Sequence, residues 1–286
     1  MRPLESGERV LLQDSKGRRY LITLDAGKVF HTHRGRLAHD DLIGGPEGRT
    51  VRTDLGQKLL ALRPTLASWV EKMPRGAQVI YPKMLALMLM AADIRPGLRV
   101  AEAGAGSGAL SISLLQALAP DGQLTSFELR EEFAATARRN VEAWFGKAPS
   151  GWELREGNVL DGLPELADLD RVLLDMLDPW TVVPAARDAL TPGGIIVCFV
   201  ATIPQVMRTV EALEAAPGFG LVESSEALFR PWHVEGLAVR PEHRMIGHTG
   251  FLVTARRIEP DAAPVAAPVA APVAAAAPAD PDPAGD

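Results

Sequence analysis

Val100-Ala101-Glu102-Ala103-Gly104-Ala105-Gly106-Ser107-Gly108-Ala109-Leu110 passes from an apolar strand-like segment, through three alternately spaced glycines, into an apolar segment that continues to about Leu118. Glycine at such a turn lets backbone approach a ligand closely, and the helix that follows offers free N–H groups at its N-terminus. The order strand, glycine-rich turn, helix predicts the first unit of an open α/β sheet with a ligand at the strand's carboxyl end. Glu128 ends the next predicted strand, about 20 residues on, where a carboxylate accepts both ribose hydroxyls of an adenosine. Gly104-x-Gly106-x-x-Ala109 also satisfies the relaxed dinucleotide fingerprint. The glycines therefore predict an adenosine-bearing ligand and leave NAD and S-adenosylmethionine both open.

Outward from this turn, strand-like runs alternate with helix-like ones between about residue 66 and residue 258, which predicts a sheet covered by helices on both faces. The predicted strands are Arg99–Ala103, Gln123–Glu128, Trp152–Glu156, Arg171–Asp175, Gly194–Val200, Gly220–Ala227 and Gly250–Arg256. Residues 1–65 read differently. Short runs such as Arg9–Gln13 and Arg19–Leu24, split by Asp14-Ser15-Lys16-Gly17, predict a small N-terminal β domain. Residues 259–286 repeat Ala-Ala-Pro-Val without an aromatic residue, a composition that predicts a disordered tail.

With 286 residues, 47% of them hydrophobic, the chain has material for one large core and a small accessory domain. The single cysteine, Cys198, lies inside the apolar run Gly194–Val200, which predicts a buried structural thiol and excludes a disulfide framework. Met1–Glu8 lacks a charged segment followed by an apolar one, and Met84–Ala92 is too short to span a bilayer, so a cytoplasmic protein with a core helix at Met84–Ala92 is expected. The net charge of −6 is uneven. Residues 1–100 carry 17 Lys/Arg against 10 Asp/Glu, whereas 101–258 carry 13 against 21. A basic N-terminal third is where phosphate contacts are expected. His31, His33 and His39 lie in a polar loop without zinc-site spacing, so solvated loop residues and no metal site are expected.

Glu102, two residues before Gly104, matches the first acid of the Asp/Glu-x-Gly-x-Gly-x-Gly motif, and the chain here resembles class I S-adenosylmethionine-dependent methyltransferases. Leu190-Thr191-Pro192-Gly193-Gly194 resembles the turn that introduces their fifth strand, and Asn158-Val159 stands where they hold the adenine ring. The segment Asp175-Met176-Leu177-Asp178-Pro179-Trp180 closely resembles the Asp-x-x-x-Pro-Trp segment of the tRNA (adenine-N1)-methyltransferases that modify adenosine 58 of the T-loop. Gln78–Lys83, Arg230–Gly236, Arg240-Pro241 and His248–Phe251 look like the same family, so that the resemblance covers about residues 5–257. It implies S-adenosylmethionine as cofactor, tRNA as substrate and a homotetramer. It implies cofactor contacts at Glu102, Gly104, Gly106, Ser107, Gly108, Ala109, Leu110, Glu128, Phe133, Asn158, Val159 and Asp175. Phe133 departs from relatives that carry a polar or basic residue there, and keeps only a ring or backbone contact.

Asp175 is the expected catalytic acid, with Tyr81 beside it in the catalytic set. Tyr81 and Trp180 are rings able to stack on a base, and Asp178 is read as a turn former ahead of Pro179. Adenine N1 attacks a sulfonium methyl with an in-plane lone pair and needs no deprotonation, but the product ring is cationic. A carboxylate at the exocyclic amine orients the base and stabilises that charge, or accepts a proton. Three other readings stand beside this one: a class I methyltransferase acting on another substrate, a nicotinamide-dependent oxidoreductase, and a non-catalytic RNA-binding subunit.

Overall fold

The computed structural model describes residues 2–76 and 78–259; the expected disordered tail lies outside the described residues from 260 onward. The chain opens with β1 (Arg9–Asp14), β2 (Arg19–Thr23), β3 (Val29–Thr32), β4 (Gly35–Ala38), β5 (Arg49–Arg52) and β6 (Lys58–Leu62). β1, β2, β5 and β6 form one antiparallel sheet in the order β2-β1-β6-β5, and β3 pairs with β4. Asp14 sets the first turn by accepting from the Lys16 and Arg18 amides, both at 2.9 Å, an Asx-type turn. Leu4, Val10, Leu12, Leu24, Leu37, Leu42 and Leu59 fill a core of this sheet's own. His39 belongs to that core rather than to the solvent: it is buried and its Nδ1 accepts from the Asp25 amide at 3.0 Å. The expectation of a solvated loop failed there because one short 3₁₀ turn, His39–Asp41, folds the ring inward.

Two helices lead into the second unit, α1 (Leu66–Lys72) and α2 (Pro82–Ala91). There follow β7 (Arg99–Ala103), α3 (Ala109–Leu118), β8 (Gln123–Glu128), α4 (Glu131–Phe145), β9 (Trp152–Glu156), α5 (Val159–Gly162), β10 (Leu169–Asp175), α6 (Val183–Ala189) and β11 (Leu190–Val200). The chain ends with α7 (Ile203–Ala215), β12 (Phe219–Glu226), β13 (Trp232–Glu235), β14 (Ala238–Pro241) and β15 (Phe251–Arg257). Seven strands make one sheet in the order β12-β15-β11-β10-β7-β8-β9, in which β15 alone runs antiparallel to its neighbours. Side chains alternate between its faces as the strand period requires. Leu173, Ile195 and Val197 join one helix-covered core, whereas Val172, Leu174, Ile196 and Cys198 join the other. Burial pushes the Cys198 thiol up to about 12, so it is inert.

Three local features bear on the site. α2 is the expected core helix, giving Met84, Leu85 and Met88 to the core from one face, while Met90 on the other is 79% exposed. Its carboxyl end is held by the buried Arg171 at the start of β10, which donates to the Ala92 carbonyl and to Asp93 Oδ2 at 3.0 Å. The turn expected at Leu190–Gly194 is drawn into β11: Leu169 pairs with Leu190, then Arg171 with Ile195, with a register shift between them that absorbs Pro192 and Gly193. β13 and β14 form a two-stranded arm between β12 and β15 on which Trp232, Val234, Leu237 and Val239 are all exposed. Among the described residues no helix is long and apolar enough to cross a membrane.

The topology fixes where a ligand goes. From β7 the chain steps outward to β8 and β9, then crosses back to lay β10 on the other side of β7. The carboxyl ends of β7 and β10 are therefore the switch point, where the two connections diverge and leave a crevice.

Candidate active site

A cleft of about 840 Å³ opens at this point. Its floor is Ala103, Gly104 and Gly106 from the end of β7 and Asp175 from the end of β10. Phe127, Glu128, Leu129 and Arg130 close it on the β8 side, with Gly157 to Leu160 beyond them at the end of β9. Phe199, Val200 and Ala201 close it on the β11 side. Leu129 and Leu177 are 71% and 75% exposed, unusual for such side chains on a soluble face and suited to stacking a planar group.

Gly104 has φ +86°, and a Cβ there would overlap the Asp175 carbonyl oxygen; only glycine lets the two strand ends approach this closely. Glu128 is 5% exposed and holds the loop's next turn: Oε2 accepts from the Gly106 amide at 2.8 Å and Oε1 from the Arg130 amide at 3.1 Å. Each oxygen keeps a further lone pair for a ligand hydroxyl. Asn140 of α4 pins the loop from behind, donating to the carbonyls of Ser107 at 2.8 Å and Pro74 at 2.7 Å.

Two further carboxyls lie under and beside the loop. Glu102 is completely buried; its Oε2 accepts from Ser111 Oγ at 2.7 Å and Ser126 Oγ at 2.6 Å, and its Oε1 has no partner among the described residues. Burial pushes it up to about 7, although both serine hydroxyls pull the other way. Asp175 is pushed up to about 7 as well, by burial first and then by the charges of Glu102 and Glu128. Three acids thus converge on one crevice, and no Lys or Arg is in salt-bridge contact with Glu102 or Asp175 among the described residues. Such a site is poised for a cation.

The structure gathers Gly104, Gly106, Glu128, Asn158, Val159 and Asp175 around the cleft. Asn158 also caps α5, its Oδ1 accepting from the Leu160 amide at 3.0 Å. Glu102 stands beneath the floor and does not line it. Ser107, Gly108, Ala109 and Leu110 lie behind the loop at the start of α3, and Leu110 is packed in the core, so only their backbone can face a ligand. Phe133 sits outside, under the Arg130 guanidinium at 3.6 Å. Tyr81 is the half-buried residue before α2 and is not part of the cleft wall. Trp180 faces Arg208 of α7 at 5.3 Å instead of the cleft. Asp178 does form a turn, through its carbonyl, which accepts from the Thr181 amide at 3.1 Å and Thr181 Oγ1 at 2.7 Å; its side chain caps nothing, and the residue lines the cleft. Sequence reading missed Leu129, Leu177 and Gln205. Gln205 could have been found: Thr202-x-x-Gln205 is a capping-box signature, and its Nε2 reaches the Leu177 carbonyl at 2.8 Å.

A mostly parallel seven-stranded sheet with a reversed strand beside its edge, and an acid at the end of the first strand after the glycine loop, define the class I methyltransferase fold. Solved structures agree. The chain superposes on an S-adenosylmethionine-dependent O-methyltransferase from Thermotoga maritima with TM-score 0.85 and 32% identity, covering 89% of this chain and 94% of that one. It superposes on the tRNA (m1A58) methyltransferase of Aquifex aeolicus with TM-score 0.79 and 27% identity, covering 90% and 100%. The profile described as the tRNA methyltransferase complex GCD14 subunit matches residues 58–239, and a TrmI-like N-terminal profile matches residues 3–51. The tRNA (adenine(58)-N(1))-methyltransferase of Thermus thermophilus is 39% identical over 248 residues, 87% of this chain and 96% of that one. The chain belongs to the GCD14/TrmI family of tRNA methyltransferases.

The buried acid makes stability depend on pH in a defined sense. Unfolded, Asp175 loses its proton near 3.8; folded, it keeps it to about 7. Between these values the folded state holds a proton that the unfolded chain has lost, so stability falls as pH rises through the window. Asp175→Asn removes the effect. The variant's melting temperature, measured without ligand, is expected to exceed wild type clearly at about pH 8 and much less at about pH 5. An equal difference at both pH values would mean that Asp175 is not the titrating group.

Proposed function

We propose that this chain transfers a methyl group from S-adenosylmethionine to N1 of the adenosine at position 58 in the T-loop of tRNA. The observation that carries the reading is the placement of Asp175: it ends β10 at the switch point, between the adenosine-sized half of the cleft and the wall formed by Phe199 to Ala201. The residues fit the cofactor. Glu128 has lone pairs for two ribose hydroxyls, and Asn158 and the exposed Leu129 and Leu160 flank space for an adenine ring. When bound, S-adenosylmethionine supplies an electrophilic methyl group on a cationic sulfur.

The remaining work belongs to the protein. Asp175 faces the acceptor and receives the exocyclic amine of adenine, which orients N1 in line; its charge then stabilises the cationic ring as it forms, or takes a proton from it. The target nitrogen is on the pairing edge of the base, so the nucleotide leaves its stack to enter the cleft. tRNA in its cytoplasmic pool is the substrate. The phosphate contact we assign to the N-terminal sheet, where three turns are tied together. Gln57 accepts from Thr32 Oγ1 at 2.9 Å and donates to Asp14 at 3.4 Å, and Thr53 Oγ1 donates to the Arg34 carbonyl at 2.7 Å. This end carries Lys16, Arg34, Arg52 and Lys58, none of them in an ion pair among the described residues. The exposed apolar arm of β13 and β14 we assign to contacts between copies of the chain in a homotetramer; a monomer mass in sedimentation equilibrium would overturn that.

Incubation with labelled methyl donor and unmodified tRNA, followed by nucleoside mapping, tests the whole reading: 1-methyladenosine at position 58 is expected, and label on a hydroxyl or on no RNA would overturn it. Asp175→Ala is expected to bind cofactor and tRNA as wild type does while single-turnover methylation drops by about 10²-fold or more. Arg34→Ala with Lys58→Ala should leave the rate at saturating tRNA intact and lower the slope of log affinity against log salt by about 1 per residue. An unchanged slope would remove this face from the tRNA contact.

A further inference from the structure

The segments Gln78–Lys83 and His248–Phe251 have so far been given no task, yet Lys83 and His248 both tie down the stretch that precedes β15. Lys83, in the first turn of α2, donates from Nζ to three backbone carbonyls: Ala227 at 2.8 Å, Gly247 at 2.5 Å and Ile246 at 3.4 Å. The first lies just past β12 and the other two lie in the strand-free stretch leading to β15. All three ammonium protons are thereby used, and no carboxylate is in salt-bridge contact with the ammonium among the described residues. One residue further, His248 bridges in the other direction. Its Nδ1 meets Glu226 Oε1 at 2.8 Å, at the end of β12, and its Nε2 meets the Ala201 carbonyl at 2.9 Å, just past β11. A carbonyl only accepts, so Nε2 carries a proton, and a carboxylate on the other nitrogen favours the imidazolium.

These contacts converge on one wall. Gly250, next along the chain, has φ +147°, and a Cβ there would overlap the Phe199 ring. Phe199, Val200 and Ala201 are the β11 side of the cleft, across Asp175 from Glu128 and Asn158. Since the cofactor half is built by β7, β8 and β9, the wall that this stretch presses upon belongs to the acceptor half.

We propose that Lys83 and His248 are positioning residues, a two-cation clamp on backbone carbonyls that fixes residues 246–250 against the β11 wall and so sets where the acceptor base stands relative to Asp175. The assignment of the β11 side to the acceptor rests on the function proposed above; the clamp itself does not. Without the ammonium, the three carbonyls share no common donor, and no other hydrogen bond ties the stretch to α2 among the described residues.

The test separates these two claims. Limited trypsin digestion of the full-length Lys83→Met variant reads the clamp without catalysis: faster cleavage after Arg244, with the other sites cut at the wild-type rate, is expected, and a wild-type rate after Arg244 would overturn the clamp. Kinetics on unmodified tRNA read the positioning. We expect kcat to fall about 10- to 100-fold, the scale of a misplaced reacting group, with cofactor affinity by calorimetry within about 2-fold of wild type. A wild-type kcat, or a cofactor affinity that falls in step with kcat, would overturn the positioning role. His248→Phe keeps a ring beside Phe251, loses both contacts, and should give the same pattern if Lys83→Met proves too unstable to measure. Because both cations hold one stretch, the double variant should lose little beyond the worse single variant; multiplying losses would mean two independent sites. Wild-type protein that labels no tRNA would refute the function and leave the digestion result to decide the clamp.

Discussion

At Gly104 the loop leaving the first strand of the large sheet runs so close to the carbonyl of Asp175 that no side chain can stand between them. This contact joins the carboxyl ends of β7 and β10, neighbouring strands whose following connections turn to opposite sides of the crevice. The rest of the site is arranged around it. Glu128 reaches the loop through the Gly106 amide because β8 lies in register beside β7, and Asn140 reaches it from α4 because Gly108 lets α3 settle on Ala137. A bulkier residue at Gly104 would part the strands and move Asp175 relative to everything on the β8 side. The distance between the two halves of the cleft is thus set by backbone, which does not adopt alternative rotamers.

Holding the loop so tightly forces acids into dry surroundings. Glu102 lies directly under the turn with one oxygen unsatisfied, while Ser111, Ser126 and, through Ser126, the Trp152 indole at 3.0 Å stabilise the other. A buried unpaired carboxyl costs stability. Its neutral form bears that cost least, and burial accordingly pushes it up to about 7. Arg130, the nearest guanidinium, lies over Phe133 and 3.7 Å from Glu128 on the outer rim, away from Asp175.

The strand periods of Val172-Leu173-Leu174 and Ile195–Cys198, and the glycine turn with Glu128, made the sheet and the place of the cleft at its carboxyl end legible from the sequence, because each is a local pattern with a local cause. What escaped was non-local. The start of β11 depended on a register shift against Leu169, which no pattern within Leu190–Gly194 announces. Tyr81 and Trp180 look alike as aromatic residues in motif segments, but where a ring points is decided by α2 and by Arg208 of α7, far away in sequence. Leu129 and Leu177 were overlooked for a different reason. An apolar residue following a strand reads as more core, and only the strand's termination turns it out into the cleft.

In the reaction we propose, the position of Asp175 lets one feature both weaken the protein and serve the chemistry. A carboxylate in bulk water feels a charge 4 Å away by about 1 kcal/mol, whereas at the effective dielectric of a protein pair the same charge is felt several-fold more strongly. The desolvation that drives Asp175 up to about 7 is therefore the same desolvation that magnifies its attraction for a ring becoming cationic. Adenine N1 needs no base to attack, so the barrier is lowered chiefly by stabilising charge as it appears, and preorganised charge in a dry site does this without solvent rearrangement. A more exposed acid would titrate normally and stabilise the fold better, but it would see the developing cation through water. The glycine contact fixes the acid at the end of β10, and its cost in stability follows from that placement.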